Sequence, residues 1–188
     1  MISDEESGFF TYILVETVRP YSSYQSCCSR RDVYKRQAID QWTKSLAVAG
    51  LKGKEPFVIW KGVFELLYSE NRGAAFGVLQ GKHGFFFLVA ACVFVAALYV
   101  TWKLPGEKKF VPLRICITLI TAGAAGNLID RVVQGYVVDF LYFILIDFPI
   151  FNVADCYVTV ATAILLILLM KVYSDEDLAV LWKKRKES

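Results

Sequence analysis

The sequence predicts an α-helical membrane protein that forms one domain, with a small β-rich element outside the bilayer. Of its 188 residues, 56% are hydrophobic and only 21% are charged, and the mean hydropathy is +0.44. A soluble domain of this length has no core large enough to bury so much apolar surface. The net charge of +3 also argues against nucleic-acid binding, because such proteins carry a larger basic excess gathered on one face.

Three uncharged runs predict membrane-spanning helices. Residues 84–102 are 19 residues without a charge, about 28 Å of helix against a hydrocarbon thickness of about 30 Å. Residues 115–129 and 156–170 hold 15 uncharged residues each. Arg114 and Lys171 lengthen these two runs, because their long side chains reach the membrane surface. The expected spans are therefore about 84–102, 113–129 and 154–173.

Composition predicts the structure of the segments around the spans, and the number of spans between two segments predicts whether they lie on the same side of the membrane. Residues 38–50 read as the remnant of a first spanning helix, and residues 51–83 predict the β-rich element because they contain short apolar alternations. The loop at 103–112 and the tail at 175–188 are both basic and lie on one side of the membrane. That side is predicted to be cytoplasmic.

Residues 1–37 do not fit this pattern. They hold one short apolar run and then a polar string whose last part, DVYKRQ at 32–37, is what the codons GAT GTG TAT AAG AGA CAG encode. Those codons resemble a transposon end used to prepare sequencing libraries, and fusion scars are excluded from fold reasoning. We hypothesise that residues 1–37 are non-native and replace most of a first spanning helix. An uninterrupted genomic read through codons 30–40 would contradict this.

Polar clusters at the predicted span ends are candidates for function, because ionisable groups at membrane depth are costly. Asp139 is the clearest, since it stands alone in the apolar run VVDFLYFILI with no cation within four residues. Asn127 and Asp130 are three residues apart, as are Asn152 and Asp155, so each pair is expected to share a helix face.

Structural interpretations of the same clusters stay open. They are an i,i+4 pair between Asp40 and Lys44, an ion pair between Asp130 and Arg131, a first-turn helix anion at Asp155, and an ordinary turn at 71–73.

Two carboxylates that meet in a poorly hydrated site cannot both ionise easily, so they share a proton. Such a pair can hydrolyse an amide: the ionised carboxylate takes a proton from water, and the protonated one polarises the carbonyl and later protonates the leaving nitrogen. The five Cys and one His show no metal-ligand spacing, so neither a metal nor another cofactor is expected. A Ser45–Lys44 dyad is disfavoured, because neighbours on a helix point about 100° apart.

Four motifs taken in order resemble those of the lipoprotein signal peptidase (type II signal peptidase) family: DQWTK, NRGAAFGVL, GNLIDRVVQGYVVDF and FNVAD. The resemblance runs from about residue 39 to residue 171. It implies a four-helix transmembrane bundle, here with its first helix truncated, in the bacterial inner membrane. It also implies an aspartyl endopeptidase with an extracytoplasmic active site, which cleaves prolipoproteins before a diacylglyceryl-modified cysteine and is inhibited by globomycin.

The resemblance assigns roles residue by residue. It implies catalytic roles for Asp139 and Asp155, and structural roles for Asp40 and Lys44. Supporting or substrate-binding roles are implied for Asn71, Gly73, Asn127, Asp130, Arg131, Asn152 and Ala154. The implied partners are prolipoproteins and membrane lipid but no nucleic acid, and a monomer is expected.

Other function classes fit less well. In a small transporter or proton-relay protein, Asp139, Asp155 and Arg131 would carry protons or ions, but neither inverted repeats nor broken helices are evident. A membrane scaffold leaves Asp139 unexplained. A presenilin-type protease needs a GxGD motif, whereas Gly135 precedes Asp139 by four residues.

Overall fold

The computed structural model of the protein describes residues 30–73 and 83–182. Most of the segment predicted to be non-native, residues 1–29, lies outside the described residues. So do residues 74–82 of the predicted β-rich element and the basic end of the tail at 183–188.

The described part of the chain is mainly helical. Its helices are α1 (Arg30–Leu51), α2 (His83–Lys103), α3 (Val111–Val133), α4 (Val153–Lys171) and the short α5 (Asp175–Leu178), with 3-10 turns at Lys108–Phe110, Ile144–Ile146 and Ala179–Leu181. Three stretches among them are long and apolar enough to cross a membrane: Gly84–Lys103, Lys108–Val133 and Val153–Lys171. They cover the three uncharged runs.

The second span is longer than the expected 113–129. The first turn of α3 contains a proline and an arginine, and a count of uncharged apolar residues leaves these out. Pro112 lies in the first turn of α3, where a missing N–H costs nothing. Arg114 donates to the carbonyls of Leu104 and Pro105 at 2.9 and 2.8 Å, so it ties this turn to the end of α2.

The first helix also differs from the expected remnant at 38–50, because α1 already begins at Arg30. The string from residue 30 to residue 37 contains neither Pro nor Gly and is rich in Arg, Lys and Gln, which have good helix propensity. Helix α1 is polar and is not among the three membrane-capable helices. Ala47 is its buried contact with the sheet residues Val138 and Phe140.

Three antiparallel strands form one sheet in the order β1 (Phe57–Trp60), β2 (Phe64–Asn71) and β3 (Val137–Tyr142). The third strand lies outside residues 51–83, so the β-rich element is not confined to the segment in which it was expected. In the β2–β3 register, Ser69 lies opposite Asp139 and Asn71 lies opposite Val137. The sheet therefore carries Asp139 to the end of β2 that holds Asn71.

A second pairing returns the chain to α4. Phe151 donates its N–H to the carbonyl of Leu141 at 3.0 Å, and Leu141 and Phe140 donate back to the Phe151 carbonyl. The residue after Phe151 is Asn152, the N-cap of α4. The start of this helix is thereby fixed beside β3.

Close backbone packing holds α3 against its neighbours. A Cβ atom on Gly123 would lie 2.6 Å from the Ala154 carbonyl oxygen and 2.7 Å from Val158 Cγ2. A Cβ atom on Gly126 would lie 2.6 Å from Asp40 Oδ2. This close approach is possible because residues 122–126 are all Ala or Gly.

The opposite end of the bundle is closed by the chain after α4. Tyr173 stacks on Phe110 with ring centroids 5.6 Å apart and donates to the Lys109 carbonyl at 2.8 Å. Helix α5 then begins with a capping box made by Ser174 and Asp177, and Lys109 Nζ lies 2.5 Å from Asp177 Oδ2. The described part of the tail is therefore acidic at its start, not basic.

Candidate active site

Asp139 lies on β3 and is only 2% exposed. Its Oδ1 accepts a hydrogen bond from Asn152 Nδ2 at 2.6 Å, and its Oδ2 accepts one from Asn71 Nδ2 at 2.8 Å. Both donors are neutral amides, so they orient the carboxyl group without supplying a positive charge.

Burial, and to a smaller extent the nearby Asp155 carboxylate, raise the pKa of Asp139 to about 7. The hydrogen bonds from Asn71 and Asn152 act in the opposite direction, because they favour the ionised form. Asp139 can therefore hold a proton near neutral pH, as one member of a shared-proton pair must.

Asp155 lies in the first turn of α4, where it forms a capping box with Asn152. The Asp155 N–H donates to Asn152 Oδ1 at 3.1 Å, and the Asn152 N–H donates to Asp155 Oδ2 at 3.1 Å. The interpretation of Asp155 as a first-turn anion is thus confirmed. The expected shared helix face is wrong for this pair, because Asn152 is the N-cap and has extended backbone geometry.

Two asparagines connect the two aspartates. Asn127 Nδ2 donates to Asp155 Oδ1 at 2.8 Å. Asn152 Nδ2 donates to Asp139 Oδ1 and also lies 3.1 Å from Asn127 Oδ1. A continuous path of amide hydrogen bonds therefore runs from one carboxyl group to the other.

Arg131 binds the segment that follows β2. Its Nη2 donates to the Gly73 carbonyl at 3.0 Å and its Nη1 to the Asn127 carbonyl at 3.2 Å, while its guanidinium lies 4.3 Å from the centre of the Phe86 ring. The Gly73 N–H donates to Asn71 Oδ1 at 2.9 Å, which confirms the turn predicted there. The same Asn71 side chain makes the turn and donates to Asp139.

Lys44 forms the centre of a buried ion cluster beside this site. Its Nζ lies 2.8 Å from Asp40 Oδ2 and 2.8 Å from Asp130 Oδ2. The predicted pair of Asp40 and Lys44 is therefore confirmed. The alternative pairing of Asp130 with Arg131 is replaced, because Asp130 pairs with Lys44 and accepts a further bond from Gln41 Nε2 at 2.7 Å.

Two contacts of this cluster were not predicted from the sequence. Lys44 Nζ also lies 3.1 Å from Asn127 Oδ1, and the Ala154 N–H donates to Asp40 Oδ1 at 3.0 Å. Ala154 is fully buried, so its contribution is a backbone donor in a tightly packed position. No local signal marks these contacts, because they join residues from separate helices.

The arrangement is suited to acid–base chemistry. Asp139 and Asp155 face each other through neutral amides at the end of the bundle where α3 finishes and α4 starts. A pair of this kind can hold one proton and activate a water molecule. Within residues 30–73 and 83–182, no group of three or more His, Cys, Asp or Glu side chains is arranged to hold a metal ion.

Comparisons with known proteins extend this result. Residues 36–171 match the family described as signal peptidase (SPase) II. The lipoprotein signal peptidase of Streptococcus thermophilus (strain CNRZ 1066) is 43% identical over 133 residues, which are 71% of this chain and 86% of that protein. The lipoprotein signal peptidase of Brevibacillus brevis is 42% identical over 130 residues, covering 69% and 86% of the two chains.

Solved structures agree. A bacterial membrane enzyme determined by the in meso method at 2.3 Å resolution superposes with a TM-score of 0.65 and 32% identity, over 83% of this chain and 91% of that one. A second bacterial membrane enzyme structure, at 1.9 Å, gives a TM-score of 0.64 and 33% identity over 75% and 91%.

Proposed function

Since this chain belongs to the signal peptidase II family, we propose that it is an aspartic endopeptidase whose catalytic pair is Asp139 and Asp155. It is a membrane protease that removes signal peptides from prolipoproteins. The comparisons give no support to the transporter or proton-relay alternative. The observation that carries the proposal is the hydrogen-bonded bridge of Asn127 and Asn152 between the two carboxyl groups.

In this mechanism the pair holds one proton and titrates as a unit. The ionised carboxylate removes a proton from a water molecule as the water oxygen attacks the scissile carbonyl carbon, and the protonated carboxyl group donates a hydrogen bond to the carbonyl oxygen. The C–N bond then breaks, and the leaving nitrogen takes a proton from the pair. One carboxylic acid and one amine are the products.

The depth of the site suits a lipid-anchored substrate. Asp155 lies in the first turn of the span Val153–Lys171, and Asn127 lies near the end of the span Lys108–Val133. A diacylglyceryl group holds its cysteine near the headgroups, because each buried methylene contributes about 0.8 kcal/mol of anchoring. We place the scissile bond before that cysteine, on the extracytoplasmic side of the inner membrane.

Exposed apolar side chains surround the sheet. All four residues of β1 are exposed, with Trp60 at 68%, and Leu145 in the 3-10 turn after β3 is also 68% exposed. So many exposed apolar side chains indicate an interaction surface. We propose that they lie on the membrane and help to cradle the substrate, and that a monomer suffices because one chain supplies both aspartates.

The test uses the full chain reconstituted in lipid bilayers with a diacylglyceryl-modified prolipoprotein, and cleavage is followed by gel shift. We expect cleavage that globomycin blocks, and none of the same prolipoprotein without its diacylglyceryl group. A second chain, with an apolar helix in place of residues 1–37, tests whether that segment limits activity. Absence of cleavage by this second chain, when it is folded, would contradict the proposed function.

A further inference from the structure

The Lys44 ammonium group makes three close polar contacts inside the protein. An ammonium group has three N–H donors and no acceptor. Here Nζ donates to Asp40 Oδ2 at 2.8 Å, forms an ion pair with Asp130 Oδ2 at 2.8 Å, and donates to Asn127 Oδ1 at 3.1 Å. Lys44 is only 3% exposed, so each of these contacts is made away from water. Two of them balance its charge, and the third points towards the aspartate pair.

The third contact determines which way the Asn127 amide faces. The oxygen and nitrogen ends of an amide are almost the same size, so packing alone does not choose between them. Asn127 Oδ1 receives donors from both Lys44 and Asn152, and its Nδ2 therefore faces Asp155. A reversed amide would place N–H groups against two donors and an oxygen against a carboxylate, which is unfavourable on every side.

The same oxygen also restrains the other half of the site. The orientation of Asn152 is set by its Oδ1, which accepts from the Asp155 N–H. Its Nδ2 has two hydrogens, one for Asp139 Oδ1 at 2.6 Å and one for Asn127 Oδ1 at 3.1 Å. Asn127 Oδ1 is thus the acceptor at which the hydrogen bonds around both aspartates meet.

We propose that Lys44 is a positioning residue, which fixes the amide of Asn127 and through it the geometry of Asp139 and Asp155. The inference rests on the proposed function, because it gives Lys44 a task in the same reaction. Asp40 and Asp130 hold the ammonium group in place for this task. Lys44 acts without contact with the reacting atoms.

The central test compares Lys44→Met with Lys44→Gln. The two replacements have similar length, but only glutamine can donate to Asn127 Oδ1. We expect Lys44→Met to lower kcat by about 10- to 100-fold, because the amide of Asn127 loses the donor that orients it. KM is expected to stay within about twofold, and Lys44→Gln is expected to recover most of kcat.

Gln41→Leu is the matched control for helix docking. Gln41 Nε2 donates to Asp130 Oδ1 at 2.7 Å in the same cluster, and within the described residues its side chain makes no hydrogen bond to Asn127. We expect this variant to keep kcat even if its melting temperature falls. A loss of kcat equal to that of Lys44→Met would assign the whole effect to packing.

The pH profile separates charge from orientation. The charged groups that act on Asp139 are Asp155 from α4, Arg131 from α3 and Lys44 from α1. Removing the Lys44 charge raises the pKa of Asp139, so the acidic limb of kcat/KM moves to higher pH in both the Met and the Gln variants. Only the Met variant should also lose the plateau value of kcat.

Folding is controlled with a second pair of variants, because loss of Lys44 leaves Asp40 and Asp130 as buried carboxylates without a cation. The Met and Gln replacements are therefore repeated in a chain that also carries Asp40→Asn and Asp130→Asn. The same difference in kcat between Met and Gln is expected there. Equal kcat for Met and Gln in this neutral background would overturn the proposal.

One further variant, Asp139→Asn, separates the positioning role of Lys44 from the proposed function. If Asp139→Asn is inactive while Lys44→Met keeps the kcat of the parent chain, the positioning role is wrong and the proposed function stands. If Asp139→Asn cleaves as fast as the parent chain, the proposed function fails, and the role of Lys44 fails with it.

Discussion

Two capping boxes in this protein use the same local chemistry at opposite ends of the bundle. Asn152 and Asp155 start α4, and Ser174 and Asp177 start α5. In each box the side chain of the N-cap accepts from the backbone N–H of an aspartate three residues on, and that aspartate accepts from the N-cap backbone N–H. Judged by local hydrogen bonds alone, Asp155 and Asp177 are equivalent.

Their surroundings make them different. Asp177 lies at the surface, and the hydrogen bond from Lys109 lowers the pKa of its carboxyl group. Asp155 has instead a neutral amide, Asn127, and a second carboxyl group, Asp139, as neighbours. A carboxylate that is paired with a cation stays ionised and inert, whereas one that faces another carboxylate shares a proton. From this contrast we expect the neighbours, not the motif, to determine reactivity.

The largest expected effect comes from removing the charge of each aspartate in turn. Asp139→Asn and Asp155→Asn are expected to lower cleavage of a diacylglyceryl-modified prolipoprotein by at least about 1,000-fold, because each removes half of the acid–base pair. Asp177→Asn is the matched control and should stay within about twofold of the parent rate. Gel-shift assays with the three variants at equal protein levels make the measurement. Comparable losses in all three would abolish the distinction between the boxes.

Replacing the N-cap residues gives a smaller effect. Asn152→Ala removes the cap of α4 and one of the two donors to Asp139, so we expect about a 100-fold loss of kcat and a loss of about 1–3 kcal/mol of stability. Ser174→Ala removes an exposed cap, with little change in stability and none in kcat. Thermal unfolding in detergent and cleavage rates check both. A fully active Asn152→Ala would show that the cap has no part in the chemistry.

Close helix packing is expected to stabilise the start of α4, where the capping box of Asn152 and Asp155 lies, whereas a glycine in an open position is expected to tolerate substitution. Gly123→Ala places a methyl group 2.6 Å from the Ala154 carbonyl oxygen, and the shift of α4 should cost about 1–3 kcal/mol of stability. Gly50→Ala, in α1, meets nothing within 4 Å and should be neutral or stabilising by up to about 1 kcal/mol. Thermal unfolding of the two variants distinguishes them. If Gly123→Ala unfolds at the parent temperature, α4 is not held by this contact.

Opposite trends of stability with pH are expected to appear only in unfolding, and not in the cleavage rate at fixed pH. The folded-state pKa of Asp139 is raised to about 7, so the folded protein binds more protons than the unfolded chain, and stability falls as pH rises from about 4 towards 7. The lowered pKa of Asp177 stabilises the fold above its unfolded pKa, and this contribution is lost as pH falls through the folded value. Unfolding at several pH values should show that Asp139→Asn removes the first trend and Asp177→Asn the second.

Much of the site could be predicted from the sequence, because lipid leaves few polar residues in the apolar runs. Asp139 stood out as an unpaired carboxylate, and the structure places it beside Asn71 and Asn152. The pair of Asp40 and Lys44 followed from i,i+4 spacing. In both cases the signal lies in a few neighbouring residues.

The parts that sequence reasoning missed depend on contacts between distant segments. Strand β3 lies in a nearly continuous apolar run without alternation, and its pairing with β2 is what makes it a strand. The bond from Lys44 to Asp130 joins α1 to α3, whereas the sequence offered Arg131 as the nearer cation. Asn152 appeared to share a helix face with Asp155 until its backbone was seen to be extended.

Asn152 has a consequence for drug resistance. Its side chain starts a helix, holds one aspartate and orients the other, and it is fully buried. A substitution there that weakens an inhibitor bound at the pair also removes the hydrogen bonds on which the enzyme itself depends. We therefore expect resistance to such an inhibitor to arise away from Asn152, at exposed apolar side chains around the sheet such as Trp60 and Leu145.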